Sequence, residues 1–305
     1  MMSEAFPDQG APGWIAGRGR SPTLTWHVDI PGKLLTLVHA REAGDLFAAS
    51  DTGELYRIDR RGKVIANSRF DEPLRRIAWS DDGSQGAVVV GENTVVRVNR
   101  SFDVLRSMTF PEPVLGLAVS PFGNHLAVSL EDGTVSLYSN RKRPIASFDP
   151  LRPLRFLEFC PAEVALFGAA EHGHLCCYNL TGGLVWQQSL WSNVGRMRLT
   201  GHGELIYLAA FGHGVQTFDG DGQMIGTYAI EGTTSRIDCS FLPGRLIAAT
   251  IERTVHCMNS KGDLLWGTTV DDDVAELICD PLEFWVILGL ETQGLYRLDW
   301  SRPVS

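Results

Sequence analysis

One short apolar pattern recurs along this chain at a fixed step of forty residues, and that period constrains the fold more than any other feature. Residues 54–58 read ELYRI, and steps of forty give TVVRV at 94, TVSLY at 134, HLCCY at 174, GVQTF at 214, TVHCM at 254 and GLYRL at 294. Two further apolar runs keep the same step. One begins with LLTLVH at 34 and LRRIAW at 74 and ends with VAELIC at 274; the other runs from LFAA at 46 to FWVILGL at 284. All are rich in β-formers and too short for helices. Each unit then has a turn that starts on Asp59, Asn99, Ser139, Asn179, Asp219, Asn259 or Asp299, residue types whose side chains cap their own backbone turn. A fourth run follows, such as VIANS at 64 or LLWGT at 264. Four strands per unit at a period near forty residues is the signature of propeller blades.

The seventh unit lacks its fourth strand, because the chain ends at Ser305. Forty residues before Val64 lies Leu24, and residues 24–28 read LTWHV. An open ring would leave an unpaired edge, and a first strand that joins the last three removes it. The expected fold is therefore all-β: a seven-bladed β-propeller of four-stranded blades, closed by an N-terminal strand in the last blade. Its blades span about 34–68, 74–108, 114–148, 154–188, 194–228, 234–268, and 274–299 with 23–28, in one domain over 23–300. Residues 1–22, rich in Gly and Pro, are expected to be a flexible tail despite the apolar pair Trp14-Ile15, and 301–305 a C-terminal tail.

The chain resembles the WD40-like and quinoprotein (PQQ)-like seven-bladed propellers over residues 23–300. The quinoprotein likeness rests on Asn179-Leu180-Thr181-Gly182-Gly183-Leu184-Val185-Trp186 and Asn259-Ser260-Lys261-Gly262-Asp263-Leu264-Leu265-Trp266, which resemble that group's turn-then-tryptophan docking motif, with Trp26 in the same phase. The resemblance implies a structural role for Trp26, Trp186 and Trp266. The Gly-His and Trp-Asp dipeptides of WD40 repeats are absent from the corresponding positions.

Charge and motif content narrow the function. A net charge of −9 disfavours nucleic acid and anionic membrane as partners, since both reward clustered Lys and Arg. No basic start with an apolar run marks a secretory signal, so a cytoplasmic, monomeric ring is expected. The six cysteines have no metal-ligand spacing, and neither a metal nor a cofactor is expected. The adjacent Cys176-Cys177 resembles the vicinal disulfide of some quinone-dependent dehydrogenases, but those resemble larger, exported, eight-bladed rings, and third-strand thiols read as packing residues. His172, His174, His202 and His213 fall in two neighbouring blades without an evident carboxylate partner, and Asp271-Asp272-Asp273 reads as a solvated loop cluster. No nucleophile elbow, P-loop or HExxH sequence occurs, so no catalytic residue is assigned.

The remaining candidates lie on the innermost strands. Arg75, Arg76, Arg155, Arg196 and Arg236 form a basic rim able to hold a carboxylate, phosphate or acidic peptide through forked hydrogen bonds. Glu158, Arg198 and Asp238 share one phase in consecutive blades and alternate in sign, which reads as structural bracing. The expected function is a non-catalytic scaffold that binds protein partners through a loop face or the channel rim. The alternative is a propeller enzyme or sensor with a small anionic ligand or quinone-type cofactor in the channel.

Overall fold

A computed structural model describes residues 11–139, 143–162 and 164–300. The strands form seven separate antiparallel sheets arranged as blades of a ring. In blade one, for example, Leu34–Ala40, Asp45–Ser50, Glu54–Ile58 and Val64–Arg69 succeed one another from the central channel outward. Second strands are almost wholly buried and fourth strands half-exposed, as expected where apolar faces are covered only by the adjacent blades. Phe47 of blade one stacks on Trp79 of blade two at 3.6 Å between ring centroids, and the core continues around the ring in such seams. Among the described residues no helix is long and apolar enough to cross a membrane.

The ring closes where the repeat places the closure. Thr23–Val28 pairs antiparallel with Gly294–Asp299, matching Thr23 to Asp299 and Val28 to Leu295, and so completes the seventh blade. The turn residues act as their chemistry requires: Asp59 Oδ1 accepts the backbone N–H of Arg61 and of Lys63, both at 2.9 Å, and Asn179 and Asp219 repeat this pattern. These turns receive the tryptophans of the preceding blade. Trp26 Nε1 donates to Arg60 O at 3.1 Å and Trp186 Nε1 to Gly220 O at 2.9 Å. Gly62 and Gly222 lie beneath those rings at φ 78° and 81°, where a Cβ would stand 2.7 Å and 2.6 Å from ring carbons. Glycine alone meets both demands.

The expectation of a free tail up to residue 22 is corrected over residues 11–22. Gly13–Ile15 forms a 3₁₀ turn, and Arg18–Gly19 adds a fifth strand to blade six by pairing with Gly267 and Trp266. The cause is the third docking tryptophan. Trp266, fully buried, donates Nε1 to Ile15 O at 3.0 Å, so the N-terminal segment takes the place that the next blade's turn occupies elsewhere. Trp14 and Ile15 are buried as a result, and burial of each contributes roughly 1.5–3 kcal/mol. Residues 1–10 and the tail 301–305 lie outside the described residues.

Candidate functional site

The first strands surround a channel with a cavity of about 300 Å³. The inter-blade connections and the turns between second and third strands form its upper face; the turns between first and second strands form the lower one. In every blade but the fourth, a β-bulge shifts the register at the upper end of the first strand, for instance between Leu74 and Arg76. Arg75 is there the extra residue, so two consecutive side chains can be aimed toward the upper mouth.

The five rim arginines expected from the sequence all line this one cavity, but their surroundings differ. The two outer ones are held by glutamates from the upper turns: Arg155 pairs with Glu171 at 2.7 Å and Arg75 approaches Glu92 at 3.8 Å, with all four side chains substantially exposed. Arg196 pairs with Glu276 of blade seven at 2.9 Å, past the intervening blade six, and both are largely buried. Arg236 donates Nε to Ala275 O at 2.7 Å and Nη1 to Ser235 O at 3.1 Å, both neutral carbonyls. Arg76 is half-buried. Neither Arg76 nor Arg236 has an ion-pair partner among the described residues.

Burial, reinforced by Arg155, pushes the Arg76 guanidinium down to about 10; burial, reinforced by Arg198, does the same to Arg196. Both remain charged at neutral pH, at a cost in solvation that their environment only partly offsets. The buried Nε of Arg196 and Oε2 of Glu276 have no hydrogen-bond partner, an uncommon state for buried polar atoms.

Lower in the channel, the bracing residues form a connected set. Arg198 Nε donates to Asp238 Oδ1 at 2.8 Å, and its Nη1 lies 3.9 Å from Glu158. Asp238 Oδ2 accepts the backbone N–H of Cys279 at 2.7 Å, which ties the set to blade seven. Arg41 was not singled out from the sequence, yet its Nη2 reaches from blade one across the channel to Glu158 of blade four at 3.0 Å. Burial opposes the Arg41 charge, but Glu158, Asp81 and Asp238 outweigh it and raise its pKa. A signal for Arg41 existed: at its repeat position blades three, four and seven carry Pro121, Pro161 and Pro281, so a long cation there is out of pattern.

The other sequence candidates do not converge. Cys176 and Cys177 point to opposite faces of their strand into different cores, as the two-residue strand period requires, and both carry reduced thiols. Burial pushes the Cys176 thiol up, away from reactivity. His174 is fully buried, whereas His172 lies 3.4 Å from Asn193 Oδ1 in an exposed turn. Asp272 caps the Thr292 N–H at 2.6 Å and Asp273 pairs with Arg253 at 2.7 Å, so this acidic run is spent on local loop structure. No group of three potential His, Cys, Asp or Glu metal ligands occurs among the described residues. No protein-family model and no curated protein sequence matches this chain.

Proposed function

We propose that this chain is a non-catalytic propeller, quinoprotein-like in its tryptophan docking, that a protein partner engages on the lower face. One observation carries the reading. Phe122, Leu242 and Leu282 occupy the same repeat position, the tip of the first turn, and are 60%, 57% and 70% exposed. Val164 and Phe284 extend these positions on blades four and seven. Blades one and two carry Glu42 and Asp82 at that tip, so the lower face combines apolar sectors with a charged one. Exposed apolar side chains repeated around one mouth are the kind of surface that a protein partner covers.

The experiment is site-specific photo-cross-linking in the native host from positions 242 and 282, with position 191 on the upper face as comparison. The expected result is a partner captured from each lower position and lost when the other one is charged, Leu282→Glu with the cross-linker at 242 or Leu242→Glu with it at 282, in variants that melt like the parent. Capture from position 191 alone, or capture undiminished by the glutamates, would refute the lower-face assignment.

A further inference from the structure

The upper mouth contains more cationic charge than the fold uses. Arg75 and Arg155 are matched by Glu92 and Glu171, and Arg196 by Glu276, but Arg76 and Arg236 are left without a carboxylate among the described residues. These side chains converge on one cavity: Arg76 of blade two, Arg196 of blade five and Arg236 of blade six line it together with Glu276 of blade seven, which lies 2.9 Å from Arg196. Collecting unpaired guanidinium groups in a half-buried cavity opposes folding, so pairing within the ring does not account for them.

We propose that the upper mouth is a binding site for a small polycarboxylate that also carries a hydroxyl or amino donor, held by Arg76, Arg196 and Arg236 with Glu276 receiving the donor. Two arguments select this class. The first is size and field. The whole channel cavity, upper mouth and lower set together, holds about 300 Å³, the small end of the roughly 300–1,000 Å³ range of ligand pockets. The surrounding loops carry Asp71, Glu72 and Asp271 without an ion-pair partner among the described residues. This acidic collar repels extended polyanions at the surface, whereas a small anion within the funnel lies among the arginines and is screened from the collar over a Debye length of about 8 Å.

The second argument is hydrogen-bond chemistry. The free guanidinium edges require acceptors, and carboxylates accept from guanidinium in forked pairs. The buried Glu276 Oε2 requires a donor, which a simple carboxylate does not supply and which hydrogen phosphate supplies only with a single compact acceptor centre for three arginines. A hydroxy- or amino-polycarboxylate offers both.

Isothermal titration of the full chain with citrate, with tricarballylate, which lacks only the hydroxyl, and with inorganic phosphate tests each part. Citrate is expected to bind at one site, tricarballylate about tenfold more weakly, and phosphate more weakly still. Arg76→Met and Arg236→Gln are each expected to weaken citrate about ten- to a hundredfold. Because Arg76 has no carboxylate partner in the ring, Arg76→Met without ligand should melt at or above the parent temperature, which separates lost binding from lost folding. The absence of citrate binding, or affinity unchanged in both variants, overturns the site. Equal binding of citrate and tricarballylate overturns the role of Glu276, and phosphate binding as tight as citrate overturns the polycarboxylate class.

Discussion

The two ends of the channel are built around the same innermost strands, with Arg196 and Arg198, and Arg236 and Asp238, only two residues apart, yet they treat charge in opposite ways. At the lower end Arg41, Glu158, Arg198 and Asp238 are joined at 3.0, 3.9 and 2.8 Å in a set that crosses the ring from blade one to blade four. At the upper end the innermost arginines outnumber the carboxylates that reach them, and the outer ones are met only by exposed turn glutamates. The difference teaches how to separate bracing from binding in a charged channel. Charges that satisfy one another belong to the scaffold, and charges that remain uncompensated need a reason outside it.

The largest test of this contrast is Asp238→Ala. It removes the 2.8 Å pair with Arg198 and the acceptor of the Cys279 N–H together, leaving a buried guanidinium with only the longer contact to Glu158. A loss of about 3–5 kcal/mol in equilibrium urea unfolding is expected; a loss below about 1 kcal/mol would mean that the lower set does not brace the ring.

Acid should probe the same end more gently. Burial, with Arg41, Arg60 and Arg297 adding to it, depresses His39 from 6.5 to about 3, so below pH 6.5 the unfolded chain takes up a proton that the folded chain refuses. The stability that neutral His39 contributes is therefore present above pH 6.5 and is lost as pH falls toward 3, at up to about 1.4 kcal/mol per pH unit. His39→Phe keeps an aromatic edge against Trp285, now 5.2 Å from the His39 ring, and should flatten that slope. An unchanged slope would assign it to His125, His174 and His256, which burial also depresses.

The smallest stability effect belongs to the upper end. Glu171→Gln breaks the 2.7 Å pair with Arg155, but both side chains are more than two-fifths exposed, so stability should change by about 0–1 kcal/mol. The same change releases a cation into the mouth and should tighten citrate severalfold. Unfolding and titration on one sample measure both, and weaker citrate binding would contradict the surplus-charge account.

The features legible in the sequence are those set by local chemistry or by the repeat. Alternating apolar residues specify the strands, Asp59 and Asn179 specify their own turns, and the missing seventh fourth strand points to residues 23–28. The five rim arginines were also legible, because the repeat phase places each on an innermost strand. Arg41 escaped because its turn position says nothing of its reach, and the docking of Trp14 and Ile15 escaped because Gly and Pro nearby suggest a tail.

The sequence by itself therefore determined the ring: seven blades, their order and their closure, since a forty-residue period and a strand's two-residue alternation are properties of neighbouring residues. Tertiary structure alone decided which charges neutralise one another and where the N-terminal segment lies. Arg41 meets Glu158 across 117 residues, and Ile15 meets Trp266 across 251. Contacts of that span depend on how far each blade is turned about the axis, and so on the packing of all the blades between them.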